Sequence, residues 1–215
     1  MHVIPFSSPP SRQPIFNLPT GIKRLALFLI AIHVARLFLS PARDAVLVSK
    51  LAFIPQNYDR LTGHALQPSD WPLLTSPITY MALHAGWAHL GFNLVSLLAF
   101  GSPVERLAGP WRMLMVFVLS GIGGALLQAC FSGPEPVVLI GASGGISGLF
   151  AVAYLAYAPA QKLWQRLAAL LVLGAGLVLT GLIGMPGIGP IAWAAHLGGF
   201  VTGLALVRLV KRPAS

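Results

Sequence analysis

Residues 137–158 read VVLIGASGGISGLFAVAYLAYA, an uncharged run with Ser143 six residues from its start. The run has the roughly 20 residues that a helix needs to cross the hydrocarbon core of a bilayer. A hydroxyl at that depth, where water is scarce, needs a partner. A second apolar run, 190–210, carries His196 equally far from its own start. The economical arrangement has the two side chains meet across two helices. A serine activated by a histidine is the minimum equipment of a nucleophilic hydrolase.

Composition supports a membrane setting. The 215 residues are 56% hydrophobic and 9% charged, against about 25% charged in a soluble domain. Six apolar runs are visible, at 22–39, 86–105, 111–131, 137–158, 165–184 and 190–210. They predict an all-α, polytopic membrane protein. Lys23, Arg24, His33 and Arg36 interrupt the first run, and its cations are expected to snorkel towards the two ends. No small-residue cleavage site follows it, so the run reads as a retained first helix rather than a signal peptide. The proposed organisation is a proline-rich cytoplasmic lead at 1–21, a six-helix domain at 22–210 with an outside loop at 40–85, and a cytoplasmic tail at 211–215. The single cysteine, Cys130, cannot form an internal disulfide and is expected to be packed.

The net charge of +9 is scattered between apolar runs rather than gathered in a patch, so nucleic acid is not an expected partner. It reads as topology. With the N-terminus inside, the inside segments hold ten Lys and Arg (Arg12, Lys23, Arg24, Arg106, Arg112, Lys162, Arg166, Arg208, Lys211, Arg212) and the outside segments three (Arg43, Lys50, Arg60). Both termini are therefore expected in the cytoplasm. Runs two, four and six then descend from outside, and Ser143 and His196 both fall roughly 9 Å below the outer boundary on a helical rise. On run two, His89 and Asn93 are four residues apart on one helical face. Lipid packing alone does not demand four polar residues in one outer layer.

Taken singly, these features have plainer readings. A membrane serine usually bonds its own backbone, a lone buried histidine is usually structural, and glycine pairs usually only pack helices. The pairs here are Gly141/Gly145, Gly144/Gly148 and Gly199/Gly203, and close helix approach is what a bond between Ser143 and His196 needs. The five carboxylates, Asp44, Asp59, Asp70, Glu105 and Glu135, all lie outside the middle of a run. That argues for a dyad rather than a triad and against paired catalytic carboxylates. No His-Glu-x-x-His is present, so no metal is expected.

The chain resembles the rhomboid intramembrane serine proteases. The resemblance rests on His84-x4-His89-x3-Asn93, Gly101-x3-Glu105, Gly141-Ala142-Ser143-Gly144 and Ala195-His196-x-x-Gly199-x3-Gly203, in family order over about residues 70–205. It implies a six-transmembrane-helix bundle with Ser143 as nucleophile and His196 as general base and acid. It further implies an oxyanion hole from His89, Asn93 and the Ser143 N–H, and places Phe92 at the substrate entrance. His84, Gly141, Gly144 and Gly199 become supporting residues. The implied activity is serine endopeptidase cleavage of transmembrane protein substrates within the lipid bilayer, near the extracytoplasmic end of their helix. No cofactor is implied, the oligomeric state is open, and the expected setting is the bacterial inner membrane. Two positions depart from the family. Trp71-Pro72 stands where Trp-Arg is common, which leaves open how the outside loop is held. Ser147 stands where an aromatic usually packs against the histidine, implying a less firmly held His196 or a substitute ring. The alternatives are a silent rhomboid-like protein that binds membrane helices, against which both Ser143 and His196 count, and a small proton-relaying transporter, against which the missing carboxylates count.

Overall fold

The computed structural model describes residues 17–61, 67–157, 162–183 and 192–210. Most of the lead and all of the tail lie outside these residues. Among the described residues nine α-helices follow one another: α1 (Thr20–Arg36), α2 (Pro41–Leu51), α3 (Trp71–Thr79), α4 (Trp87–Ser96), α5 (Ser102–Ala108), α6 (Pro110–Phe131), α7 (Ser143–Tyr157), α8 (Leu163–Ile183) and α9 (Trp193–Val210). A π-helical turn, Leu97–Gly101, joins α4 to α5, so the second run is one continuous rod. Each of the six apolar runs thus supplies a helix, and α2 and α3 belong to the connection between the first two runs. Local chemistry sets several boundaries. Pro41 and Pro110 occupy first helical positions, where a missing N–H costs nothing. Gly109, at φ +86°, makes the sharp reversal between α5 and α6.

By length and composition, α6 is the one helix among the described residues long and apolar enough by itself to cross a membrane. The segments Pro68–Ala82 and Trp87–Ala108 pass together but bend by 80°. The shortfall elsewhere has visible causes. Helix α1 has 17 residues and carries cations, and α7 has 15 because it starts later than its apolar run predicts.

That late start corrects the reading of 137–158 as one span. Residues 137–142 are not helical. Leu139 instead pairs with Phe53, which lies between α2 and α3, each N–H donating to the other's carbonyl (2.9 and 3.1 Å). β-branched Val137, Val138 and Ile140 favour that extended path, and Gly141 ends it at φ +115°. An extended residue advances about 3.3 Å against 1.5 Å in a helix, so a depth counted on helical rise does not apply to Ser143.

Helices α6, α7 and α9 form the centre, and glycines set their spacing. A methyl group at Gly199 would overlap the Gly144 carbonyl, and one at Gly203 would overlap the Gly148 carbonyl. Two of the three small-residue pairs read from the sequence, Gly144/Gly148 and Gly199/Gly203, therefore face one another. Helix α1 is anchored differently. The buried Glu105 carboxylate accepts the N–H groups of Gly21 (2.7 Å) and Ile22 (2.6 Å), so a negative charge meets the unspent donors of a helix N-terminus. Two smaller expectations fail. Cys130 is exposed on α6 rather than packed, and Arg36 is spent on protein partners rather than snorkelling.

Candidate active site

Ser143 is the first residue of α7, not a residue in its second turn. The Ile146 N–H donates to the Ala142 carbonyl (3.0 Å) as the first bond of the helix. The Ser143 N–H therefore belongs to the helix's unspent donors. The preceding turn is held by Tyr80, whose carbonyl accepts the Gly141 N–H (3.0 Å). The Tyr80 hydroxyl donates to the Gly121 carbonyl on α6 (2.8 Å) and lies 2.9 Å from where a side chain at Gly144 would begin. Tyr80 is 1% exposed, so this ring is the floor beneath the serine turn. Sequence reading missed it, because one tyrosine after a short apolar helix carries no periodic signal.

His196 lies in the first turn of α9 and is half-buried. Its neighbour Ala195 turns its carbonyl towards Gly144, 3.5 Å from where a Cβ on that residue would be, and towards Gly124 on α6. The residues flanking Ser143 and His196 are thus in contact, with no bulk between the two backbones. The aromatic that Ser147 replaces has no substitute among the ring contacts of the described residues. The Ser147 hydroxyl donates to the Ser143 carbonyl (2.9 Å), closing back on its own helix.

His89 and Asn93 come from α4. The His89 ring sits against the serine turn, with Nε2 2.7 Å from where a Cβ on Gly141 would be. Only glycine leaves that space open, and only glycine takes φ +115° there without strain. Asn93 is 5% exposed and spends one N–H on the His89 carbonyl (2.8 Å). A carboxamide has a second N–H to offer. His84 is fully buried, its ring edge-on to His89 at 5.2 Å. Phe92 is 51% exposed on the outward side of α4, with Val95 beside it. The structure therefore gathers Ser143, Gly141, Gly144, His89, His84, Gly199 and the Ala195 carbonyl that precedes His196 around one turn. Phe92 stands apart from it.

The connection between α1 and α4 is held by residues the sequence reading did not assign. Arg36 donates from Nε and Nη2 to the two Asp44 carboxylate oxygens (2.7 and 2.9 Å) and from Nη1 to the His84 carbonyl (2.8 Å). Asp44 lies outside the spans, and the guanidinium beside it holds its carboxyl below the usual range. Gln56 staples the loop to the segment leading into Ser143. Its amide donates to the carbonyls of Gly133 (2.8 Å) and Glu135 (2.9 Å) and accepts the Val137 N–H (3.2 Å). These contacts tie the segment between α1 and α4 to the rest of the bundle.

The site is thus a serine turn set against an imidazole at one end of a helical bundle with close glycine packing. The family model of the Rhomboid domain matches residues 72–213. A rhomboid-type serine protease 2 of Emericella nidulans is 33% identical over 150 residues, covering 67% of this chain and 28% of that protein. The rhomboid protease GluP of Bacillus subtilis is 33% identical over 138 residues, 62% of this chain and 25% of its own length. An uncharacterized Mycobacterium tuberculosis protein, Rv1337, is 30% identical over 178 residues, 76% of this chain and 72% of its own. The chain belongs to the rhomboid family of multi-pass integral membrane proteins. It spans under a third of the length of the two named proteases.

Proposed function

We propose that the chain is an intramembrane serine endopeptidase that cuts transmembrane protein segments with a Ser143–His196 dyad. The observation that carries this reading is the serine turn itself. Ser143 opens a helix against the His89 ring, and its neighbour Gly144 meets the carbonyl that precedes His196. A membrane helix hides its carbonyls in its own hydrogen bonds, so a substrate must unwind where freed groups find polar partners. Ser143 Oγ then attacks the exposed carbonyl as His196 takes its proton. The His89 N–H, an Asn93 N–H and the Ser143 backbone N–H bind the resulting oxyanion. His196 returns the proton to the leaving amine, and water releases the acyl group by the same path.

The ten-to-three bias of basic residues supports both termini in the cytoplasm. Exposed Trp111 and Trp164, beside Arg112 and Arg166 at the starts of α6 and α8, suit the inner interface. The starts of α4, α7 and α9 then face outside, and cleavage falls near the extracytoplasmic end of the substrate helix. Phe92, exposed on α4, is assigned to substrate entry. The test is purified protein with a model membrane substrate. Ser143→Ala and His196→Ala should each abolish cleavage with the fold retained, and a fluorophosphonate should label wild type at Ser143. Undiminished cleavage by Ser143→Ala would sink the assignment.

A further inference from the structure

Arg36 does more than dock the outside loop, because of where its third donor goes. Asp44 occupies two of its nitrogens, and the guanidinium is 14% exposed. The remaining Nη1 donates to the His84 carbonyl (2.8 Å). That carbonyl and the Ala85 N–H are the two poles of one peptide group. The Ala85 N–H donates in turn to Nδ1 of His89 (3.5 Å). A cation on the carbonyl draws density from the amide nitrogen and makes its N–H a better donor, as in any polarised hydrogen-bond chain.

The consequence for His89 follows from imidazole chemistry. A neutral ring carries one N–H, and the nitrogen that accepts a bond is not the one that holds the proton. With Nδ1 accepting, the proton sits on Nε2. Nε2 is the atom at the Gly141 turn, next to the nucleophile. His84, the other ring against His89, makes an edge-on ring contact with it. We propose that Arg36 is a positioning residue that fixes His89 as its Nε2–H tautomer through the His84–Ala85 peptide. The proton then points where an oxyanion would form. The functional consequence rests on the oxyanion role given to His89 above, whereas the tautomer does not.

The experiment uses the full chain in lipid nanodiscs with 15N-labelled histidine, the His89 signals being identified by their loss in His89→Gln. Wild type should show a bare Nδ1 and a protonated Nε2. Arg36→Gln should mix the tautomers and lower kcat about tenfold, some 1.4 kcal/mol, with KM within about twofold. Asp44→Asn, which frees the guanidinium without removing it, should shift both in the same direction by less. A purely structural Arg36 would lower the thermal midpoint and leave the tautomer unchanged, which would overturn the proposal. A proton on Nδ1 in wild type would overturn it too, and that measurement decides the matter even where Arg36→Gln does not fold. If the tautomer is as stated but His89→Gln turns over at the wild-type rate, the oxyanion assignment fails and the Arg36 linkage stands.

Discussion

His89 and Asn93 sit one helical turn apart on α4, the first against the serine turn and the second buried with an amide N–H to spare. A donor that meets charge only in the transition state should act on the rate of the chemical step. His89→Ala and Asn93→Ala should each lower kcat about a hundredfold, near 3 kcal/mol, with little change in KM. Steady-state kinetics on a membrane substrate checks this, and a loss confined to KM would make them binding residues instead. Asp44 gives a pH prediction. Its folded pKa is depressed by Arg36, so its contribution is present above the unfolded value near 4 and is lost as pH falls through the folded one. The stability difference between wild type and Asp44→Asn should hold from pH 7 to about 5 and vanish at more acid pH. Unfolding midpoints across that range would show it.

Helix contacts carry a second kind of constraint. At Gly199 the helix backbones of α7 and α9 touch, and the atoms a methyl would meet belong to the main chain at Gly144. A rigid backbone cannot step aside as a flexible side chain does. Gly199→Ala should therefore cost about 1–3 kcal/mol and slow probe labelling at Ser143. Gly91, inside α4, meets nothing within 4 Å of an added Cβ. Gly91→Ala should be neutral or stabilising by about 0.5–1 kcal/mol, as for any open helix-interior glycine. Thermal unfolding of both variants separates these cases, and equal effects would refute the packing argument. The sequence spacing marked both Gly199 and Gly203, but only the bundle distinguishes a glycine at a contact from one facing open space.

Seen whole, the molecule collects its polar chemistry at one end of an apolar bundle. The starts of α4, α7 and α9 lie together there, with α2 and the Gln56 staple beside them. With that end outside, a substrate of known orientation should be cut in the outer third of its membrane helix. Mass-spectrometric mapping of the products checks this, and a cut in the cytoplasmic third would refute the orientation even if Ser143 proved to be the nucleophile.

Periodicity and composition sufficed for the helical bundle, for the six apolar elements and for the pairing of small residues. These depend on burial averaged over many residues, which local sequence records directly. Ser143 and His196 became candidates for the same reason, since a polar group in an apolar run stands out. What averaging cannot reach is a bond between residues far apart in the chain. The Phe53–Leu139 pair pulls 137–142 out of helix and makes Ser143 a first residue. Tyr80 meets Gly141 and Gly121, Glu105 meets Gly21, and Arg36 meets both Asp44 and His84. Each of these contacts satisfies a donor or acceptor with a partner that no spacing rule identifies. Only the packed structure decides which partner is in reach, because it alone fixes the distances over which hydrogen bonds act.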